Sequence, residues 1–401
     1  MINKKTLREW FLLGFSLFLK IDLKKSHRKY LKDYSIVFLS DLIADYFFQF
    51  TMKLIKLKIN LNMQRAREGS NIYLQKARKN KNDEFYTQLN DIEKEMKNYA
   101  IHFKNKVVLC NCDDPRVSNF FHYFSYNFEH LGLKKLITTC YKNQQIDLFS
   151  NHDQERSIML QYEGDKNNNK IPDIEEIGVN YLVGNGDFRS QECTEFLKGS
   201  DIVVTNPPFS LFREYLSMLI DYEKKFIVVG NWNAITYKEV FTLIKKNKVW
   251  IGVNSNRNFS GFIVPHHYPL QGTEARIDKD GKRIVSTNNN CWFTNLDINK
   301  RHEEIILFRS YDPKLYPEYD NYKAIEVSKI VDIPIDFEGV MGVPITFLNK
   351  YNPNQFKIIG ADFEVKEGLL PNIIKKNWTG KFDRAYLNGK RMYARLLIKK
   401  L

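Results

Sequence analysis

Cysteine is scarce in this chain: there are five thiols in 401 residues (Cys110, Cys112, Cys140, Cys193 and Cys291), none in a Cys-x-x-Cys pair. That excludes a disulfide-stapled scaffold and the common zinc motifs, and leaves reduced thiols in a cytoplasmic protein as the expectation. Histidine offers no metal spacing either. His266 and His267 stand side by side in a loop and read as non-catalytic, so no metal is expected. Long hydrophobic runs are also missing. The apolar stretch at residues 10–19 falls well short of the roughly 20 residues a bilayer requires, and no small-residue cleavage site follows it. No membrane association is expected. Repeats and low-complexity tracts are absent, and "GDKNNNK" at 164–170 is a polar loop.

What is present is an ordinary globular composition, 43% hydrophobic and 27% charged, with room for two domains. The net charge of +14 favours an acidic partner such as nucleic acid. Its distribution says more. Residues 1–62 contribute +7 and residues 371–401 contribute +8, which leaves about −1 for everything between. This is a near-neutral body with basic ends. In the first 62 residues, "SIVFLSDLIADYFFQFTMKLIKL" spaces its apolar positions as a helix does, so a basic helical extension is expected, with Met63 as an alternative start.

From about residue 70 the pattern turns regular. "NDIEKEMKNYAIHF" predicts a helix capped by Asn90 with Glu93 in capping-box spacing, and with Ile92, Met96, Tyr99 and Phe103 buried. "KVVLCNCDDP" predicts a buried parallel strand, and "SNFFHYFSYNFEHL" a helix closed by Gly132. Further strands are expected in "KKLITTCYK", "VNYLVGNGDF", "SDIVVTNPPF" and "KKFIVVGNW", with a helical stripe from Leu211 to Ile220 between the last two. This alternation predicts a doubly wound α/β sheet, in which ligands bind beyond the carboxyl ends of the strands. Asp113 and Asp114, Asp187, Asn206 to Phe209, and Asn231 to Asn233 should then share one rim. Beyond about residue 240 the text becomes less regular and richer in aromatics.

"TNPPF" at the end of the fourth strand carries the chemistry. Two prolines can simply stop a strand, and an aromatic can close a core. Neither explains an amide placed at the mouth of the sheet. A ring amine such as that of adenine has its lone pair delocalised and is a poor nucleophile. The side-chain oxygen of Asn206 and the carbonyl of Pro207 can accept its two hydrogens in fixed directions and favour a tetrahedral nitrogen. Pro207 and Pro208 hold those acceptors rigidly, and Phe209 offers a face on which the base can stack.

The motif resembles the Asp/Asn/Ser-Pro-Pro-aromatic signature of amino-group methyltransferases that use S-adenosylmethionine. Other segments extend the likeness. "KNDEFYTQ" (81–88), "CNCDDPRVSNFFHYF" (110–124), "GVMGVPITFLNKYNPNQFKIIG" (339–360) and "GKRMYARLLI" (389–398) resemble, in order, blocks of the EcoRI-type adenine-specific DNA methyltransferases. The resemblance runs from about Lys76 to the end and follows the gamma-like motif order. It implies that Asn82, Asp83, Glu84, Phe85, Tyr86 and Thr87 meet the amino-acid end of the cofactor. It also implies that Asp113 and Asp114 lie beside the cofactor, that Asp187 and Phe188 meet its adenine, and that residues 206–209 are catalytic. Two departures stand out. No Gly-x-Gly-x-x-Gly turn follows the first strand, and "ITTCYK" lacks the usual acid at the end of the second, where Tyr141 or Glu163 could substitute near the ribose.

Methylating a base hidden in a duplex requires flipping it out, at a cost of a few kcal/mol that backbone contacts must offset. "DRAYLNGKRMYARLLI" carries an Asn388-Gly389 hairpin signal, and the alternation predicts one face of Arg384, Tyr386, Arg391, Tyr393 and Arg395 suited to phosphates and stacking. A solvated basic edge is the plain alternative.

The expectation is therefore a helical extension (1–62), a catalytic domain (70–240) and a target-recognition region (241–401). The activity implied is methyl transfer from S-adenosylmethionine to the N6 amine of adenine in double-stranded DNA. The protein is expected to be a monomer whose functional counterpart is a cognate restriction endonuclease. The rival readings are an RNA-adenine or protein-glutamine methyltransferase, and a non-catalytic DNA-binding module of the same descent.

Overall fold

A computed structural model provides the structure. It describes residues 85–112, 118–141, 157–169, 172–173, 175–255, 259–264, 270, 275–285 and 289–401. The chain divides into two units, Met1–Lys76 and Ala77–Leu401, and every described residue lies in the second. The helical extension, Asn82, Asp83, Glu84, Asp113, Asp114 and the two adjacent histidines lie outside the described residues.

Strand β1 (Tyr86–Thr87) leads into helix α1 (Leu89–Met96). Strand β2 (Val107–Asn111), helix α2 (Asn119–Tyr126) and strand β3 (Lys135–Thr139) follow. Next come β4 (Ile158–Tyr162), β5 (Gly178–Tyr181), α3 (Gln191–Gly199) and β6 (Ile202–Thr205). Helix α4 (Phe212–Asp221), β7 (Lys225–Asn231), α5 (Lys238–Lys245) and β8 (Trp250–Ser255) continue the alternation. The short strands β9 (Phe262–Ile263), β10 (Ala275–Ile277) and β11 (Arg283–Val285) precede β12 (Asn290–Thr294).

Among the described residues the largest sheet has eight strands in the order β5-β4-β3-β2-β6-β7-β12-β8. The four central strands, β3, β2, β6 and β7, are parallel, and antiparallel pairs flank them on both sides. Parallel strands must be buried on both faces. Here alternate residues divide accordingly: Leu109, Val203 and Val228 enter one core, while Val108, Val204 and Ile227 enter the other with Ile92, Met96, Tyr99 and Phe103. The architecture is mixed α/β, as expected. From β2 the chain steps outward to β3 and later returns to β2's other side as β6. The order therefore reverses between β2 and β6, and the crevice beyond their carboxyl ends is where such a sheet binds ligands.

One local expectation holds: Gly132 closes the helical segment with φ +62 after Leu131, although that segment divides at Asn127. Ser118, which the sequence reading did not single out, caps α2 through its hydroxyl. Others are corrected. Asn90 lies inside α1, which starts from Gln88 with no side-chain cap, so the capping box does not form. The third strand beside β3 is "IMLQY", which runs antiparallel, and "GVNY" is an exposed edge strand beyond it. The boundary expected at residue 240 cuts through the sheet, because β8 and β12 complete its far side.

A second sheet, β13 (Ile325–Glu326), β14 (Met341–Pro344), β15 (Phe356–Ala361) and β18 (Arg395–Lys400), has the order β13-β14-β18-β15. Between β15 and β18 lies the hairpin β16 (Tyr386–Leu387) and β17 (Lys390–Arg391). Leu396 and Ile398 of β18 join the same core as Val203 and Phe212, whereas Leu397 faces a separate cluster with Tyr319 and Tyr322. Residues beyond 299 thus share a core with the large sheet.

Candidate active site

Thr205 ends β6, and its hydroxyl donates across the crevice to the carbonyl of Asn111 at the end of β2. Tyr215, fully buried on α4, donates to the side-chain oxygen of the same Asn111. The two strand ends are locked together at the switch point. The chain then turns sharply. Cys112 takes φ +92, a region that costs a non-glycine residue roughly 1–3 kcal/mol. The missing glycine-rich turn is thus replaced by a strained cysteine, whose N–H donates to Thr139 at the end of β3 (3.2 Å).

Asn206 follows directly and is only 6% exposed. Its Nδ2 donates to the carbonyl of Phe85 at 2.5 Å, a contact that fixes which end of the amide is which, since only the NH₂ can face a carbonyl. Its Oδ1 is thereby turned the other way. That oxygen is buried and has no hydrogen-bond partner among the described residues. Buried polar atoms almost always find partners, and one left without costs about 1–3 kcal/mol. Pro207 is buried, and the carbonyl of Pro208 accepts from Leu211 (3.0 Å), which starts the turn that leads into α4. Phe209 is half-buried; its ring stacks on Phe85 (5.8 Å between centroids, 16° between planes) and meets Phe262 edge-on at 5.9 Å.

The structure therefore joins residues 85–87 to the Asn-Pro-Pro-Phe motif across 121 positions of sequence. Tyr86 and Thr87 pair with Ile263 and Phe262 of β9, which holds the segment over the crevice. Thr87 is 1% exposed, and its hydroxyl also lacks a partner among the described residues. Three α1-side residues that the sequence reading missed hold the opposite wall. Gln88 donates to Gly261 (2.8 Å), Asp91 accepts from the N–H and hydroxyl of Ser260 (2.8 and 2.9 Å), and Glu95 accepts from the N–H groups of Val253 and Asn254 (2.8 and 2.7 Å). Burial pushes both carboxyls above their ordinary range, against the pull of these donors. Polar positions set one turn apart beside the Ile92–Met96 stripe were the signal available for them.

Asp187 reaches the rim in a different way from that expected. Edge strand β5 ends on the same side as β3, and Gly186 folds back so closely that a Cβ there would lie 1.9 Å from the carbonyl oxygen of Cys140. The Asp187 carboxylate is taken by Arg189 (2.9 and 2.7 Å), which holds it below the ordinary carboxylate range. Phe188 is buried edge-on against Tyr215 (5.0 Å), with Arg189 over its ring. Glu163 pairs with Lys135 at the start of β3 (3.4 Å), the opposite end from the rim, which removes it as a ribose contact. Because β4 runs antiparallel, Ser157 before it stands at the rim instead; it is 2% exposed, and its hydroxyl has no partner among the described residues.

The expected DNA face is largely corrected. Asn388 and Gly389 do form the turn (φ +50 and +72), and Tyr386 does pair with Arg391. Tyr393 is open, at 81% exposure. Arg391, however, is held by Asp383 (2.9 and 2.7 Å), and Arg384 lies 4.0 Å from buried Asp362. Arg395 is buried in a two-pronged pair with Glu326 (2.9 and 2.7 Å). Its side of β18 is roofed by the segment carrying Tyr319, Tyr322 and Glu326, so it cannot belong to an open face.

A mixed α/β sheet with parallel central strands is consistent with an enzyme of the methyltransferase class. The chain belongs to the family described as "Adenine-specific methyltransferase EcoRI", whose model matches residues 73–401. It is 53% identical over 336 residues to the Type II methyltransferase M.EcoRI of Escherichia coli, an alignment covering 83% of this chain and 98% of that protein. The Type II methyltransferases M.MgeORF184P of Mycoplasma genitalium and M.MpnI of Mycoplasma pneumoniae are 40% and 37% identical, each over 82% of this chain and 98% of their own length. No solved structure matches the chain.

Proposed function

We propose that the protein is a site-specific DNA methyltransferase that modifies the N6 amine of a flipped-out adenine and protects DNA from a cognate restriction endonuclease. The observation that carries this reading is the buried Oδ1 of Asn206, without a partner among the described residues, beside a half-buried aromatic ring. An incoming NH₂ group supplies the donor this oxygen lacks.

Asn206 Oδ1 and the carbonyl of Pro207 accept the two amine hydrogens and direct the nitrogen lone pair outward, while Phe209 stacks the base. The carbonyl of Phe85 holds the Asn206 amide in that orientation. S-adenosylmethionine, when bound, supplies a methyl group on a cationic sulfur that departs neutral. The nitrogen gains a bond to carbon and then loses a proton to solvent, with no covalent link to the protein. Thr87 and Ser157 have buried hydroxyls suited to the cofactor's polar groups, with Phe85, Tyr86 and the Asp187–Phe188 turn beside them. The crevice at the reversal of a doubly wound, Rossmann-like sheet suits such a ligand. Tyr393 and the C-terminal basic residues contact DNA, with Arg384 and Arg391 doing so only by exchanging their acidic partners. The enzyme works as a cytoplasmic monomer, and among the described residues no helix is long and apolar enough to cross a membrane.

The test offers methyl-labelled S-adenosylmethionine with duplex DNA, total RNA or protein extract, and digests the product to nucleosides. Label in N6-methyladenine from DNA is expected; label confined to RNA, protein or cytosine would contradict the proposal.

A further inference from the structure

The loop that joins β4 to β5 lies at the end of the sheet away from the reacting rim, since β4 reaches it at Tyr162 beside the start of β3. The catalytic reading leaves it without a role. Its residues Asp165, Asn167, Asn169, Asp173 and Glu176 fall at positions one, three, five, nine and twelve of a twelve-residue run. That is the spacing at which an EF-hand loop presents oxygen ligands to calcium, ending in a glutamate. One departure is Lys170 at position six, where such loops place glycine; positions six, seven and ten lie outside the described residues.

Spacing alone does not make a site, but Glu176 adds an independent observation. It is 8% exposed, and one of its oxygens, Oε2, is buried with no hydrogen-bond partner among the described residues. Its other oxygen accepts from the N–H groups of Lys166 and Asn167 (2.5 and 3.1 Å), so the carboxylate points into the loop rather than to solvent. Negative charge is concentrated there. The buried Tyr162 hydroxyl is pushed up to about 12, first by burial and then by the carboxylates of Glu176, Asp165, Glu129 and Asp173. A buried carboxylate oxygen without a donor is costly, and a hard cation satisfies it directly.

We propose that residues 165–176 bind one calcium ion through the carboxylates of Asp165, Asp173 and Glu176 and the amide oxygens of Asn167 and Asn169. The ion assembles this arrangement. Among the described residues no three acidic, histidine or cysteine side chains already stand together as a metal cluster, and the amide groups of Asn167 and Asn169 donate to Asp173 Oδ2 (2.6 and 3.1 Å). A half-turn of each amide replaces those donors with oxygens facing the ion, at Asn167 giving up the bond its oxygen accepts from the Asn169 N–H (2.9 Å). Calcium tolerates such a flexible, amide-rich set, whereas magnesium demands a tight octahedron. With glycine missing at position six, affinity on the order of 10⁻⁴ M is expected. The consequence is stability of the β4–β5 edge, because ligands that bind only the folded chain raise its melting temperature.

The experiment uses the full chain with terbium as the luminescent probe and calcium as competitor, alongside melting curves with calcium or magnesium. The expected result is tyrosine-sensitised terbium emission that calcium displaces, and a higher Tm with millimolar calcium but not with magnesium. Glu176→Gln should weaken both at least about tenfold in metal concentration, and Asn167→Ala serves if that variant misfolds. Tyr162→Phe should dim the emission and leave the calcium-dependent Tm shift intact. Emission and Tm indifferent to calcium, or a response unchanged in Glu176→Gln and Asn167→Ala, would overturn the proposal.

Discussion

The rim of the large sheet and the C-terminal hairpin treat their polar groups in opposite ways. At the rim, Asn206, Thr87 and Ser157 each bury an oxygen with no partner among the described residues. On the hairpin, Arg391, Arg384 and Arg395 each face an acid: Asp383, Asp362 and Glu326. The first arrangement is unfavourable for an empty protein and favourable once a ligand supplies donors. The second is satisfied at Arg391 and Arg395, while Asp362 keeps one buried oxygen with no partner among the described residues. On the proposed reading, unmet hydrogen-bonding capacity gathered at the rim, rather than charge, marks the reacting centre, although buried polar atoms without a described partner also occur away from it, as at Glu176 and Asp362. The basic C-terminal sequence overstates what is available to phosphates.

Breaking the satisfied region should cost stability in proportion to burial. Arg395→Ala strands the buried Glu326 carboxylate and should lower unfolding free energy by about 3–5 kcal/mol, read from urea unfolding. A loss under about 1 kcal/mol would mean that the pair is solvated. The next largest effect is a pH dependence. Burial raises the Asp362 carboxyl from 3.8 to about 6. The folded state therefore holds this proton more tightly than the unfolded chain, and stability from this group falls as pH rises from about 4 to 6, by roughly 2–3 kcal/mol. Asp362→Asn should flatten that slope, and a slope unchanged in the variant would assign it to other groups. Smallest should be Arg391→Ala, which removes an exposed pair and should cost about 0.2–1 kcal/mol. A larger cost would make the hairpin's ion pairs structural rather than incidental.

The same contrast explains what the sequence made legible. The Asn-Pro-Pro-Phe motif was visible because an apolar strand ends in an amide where no core needs one. The buried stripe of Ile92, Met96, Tyr99 and Phe103 and the Asn388-Gly389 turn were visible because both are local patterns. The pairing of "IMLQY" with β3 was not, since it depends on a contact between segments separated in the sequence. Arg395 was misplaced for a related reason. Alternation along the hairpin assigns it to the side of Arg391 and Tyr393, but the strand stops at Arg391 and resumes at Arg395, where the roof comes from residues some 70 positions earlier. The grip of Asp91 and Glu95 on the 253–260 segment, and the carbonyl of Phe85 on Asn206, are likewise long-range.

The most direct measurement is single-turnover methyl transfer by Asn206→Ala, set beside its melting temperature and its affinity for duplex DNA. If the orphan oxygen exists for the target amine, the rate should fall by about 10²–10³-fold or more while DNA affinity holds and the fold loses little stability. Transfer within a few-fold of the unaltered protein would contradict the account.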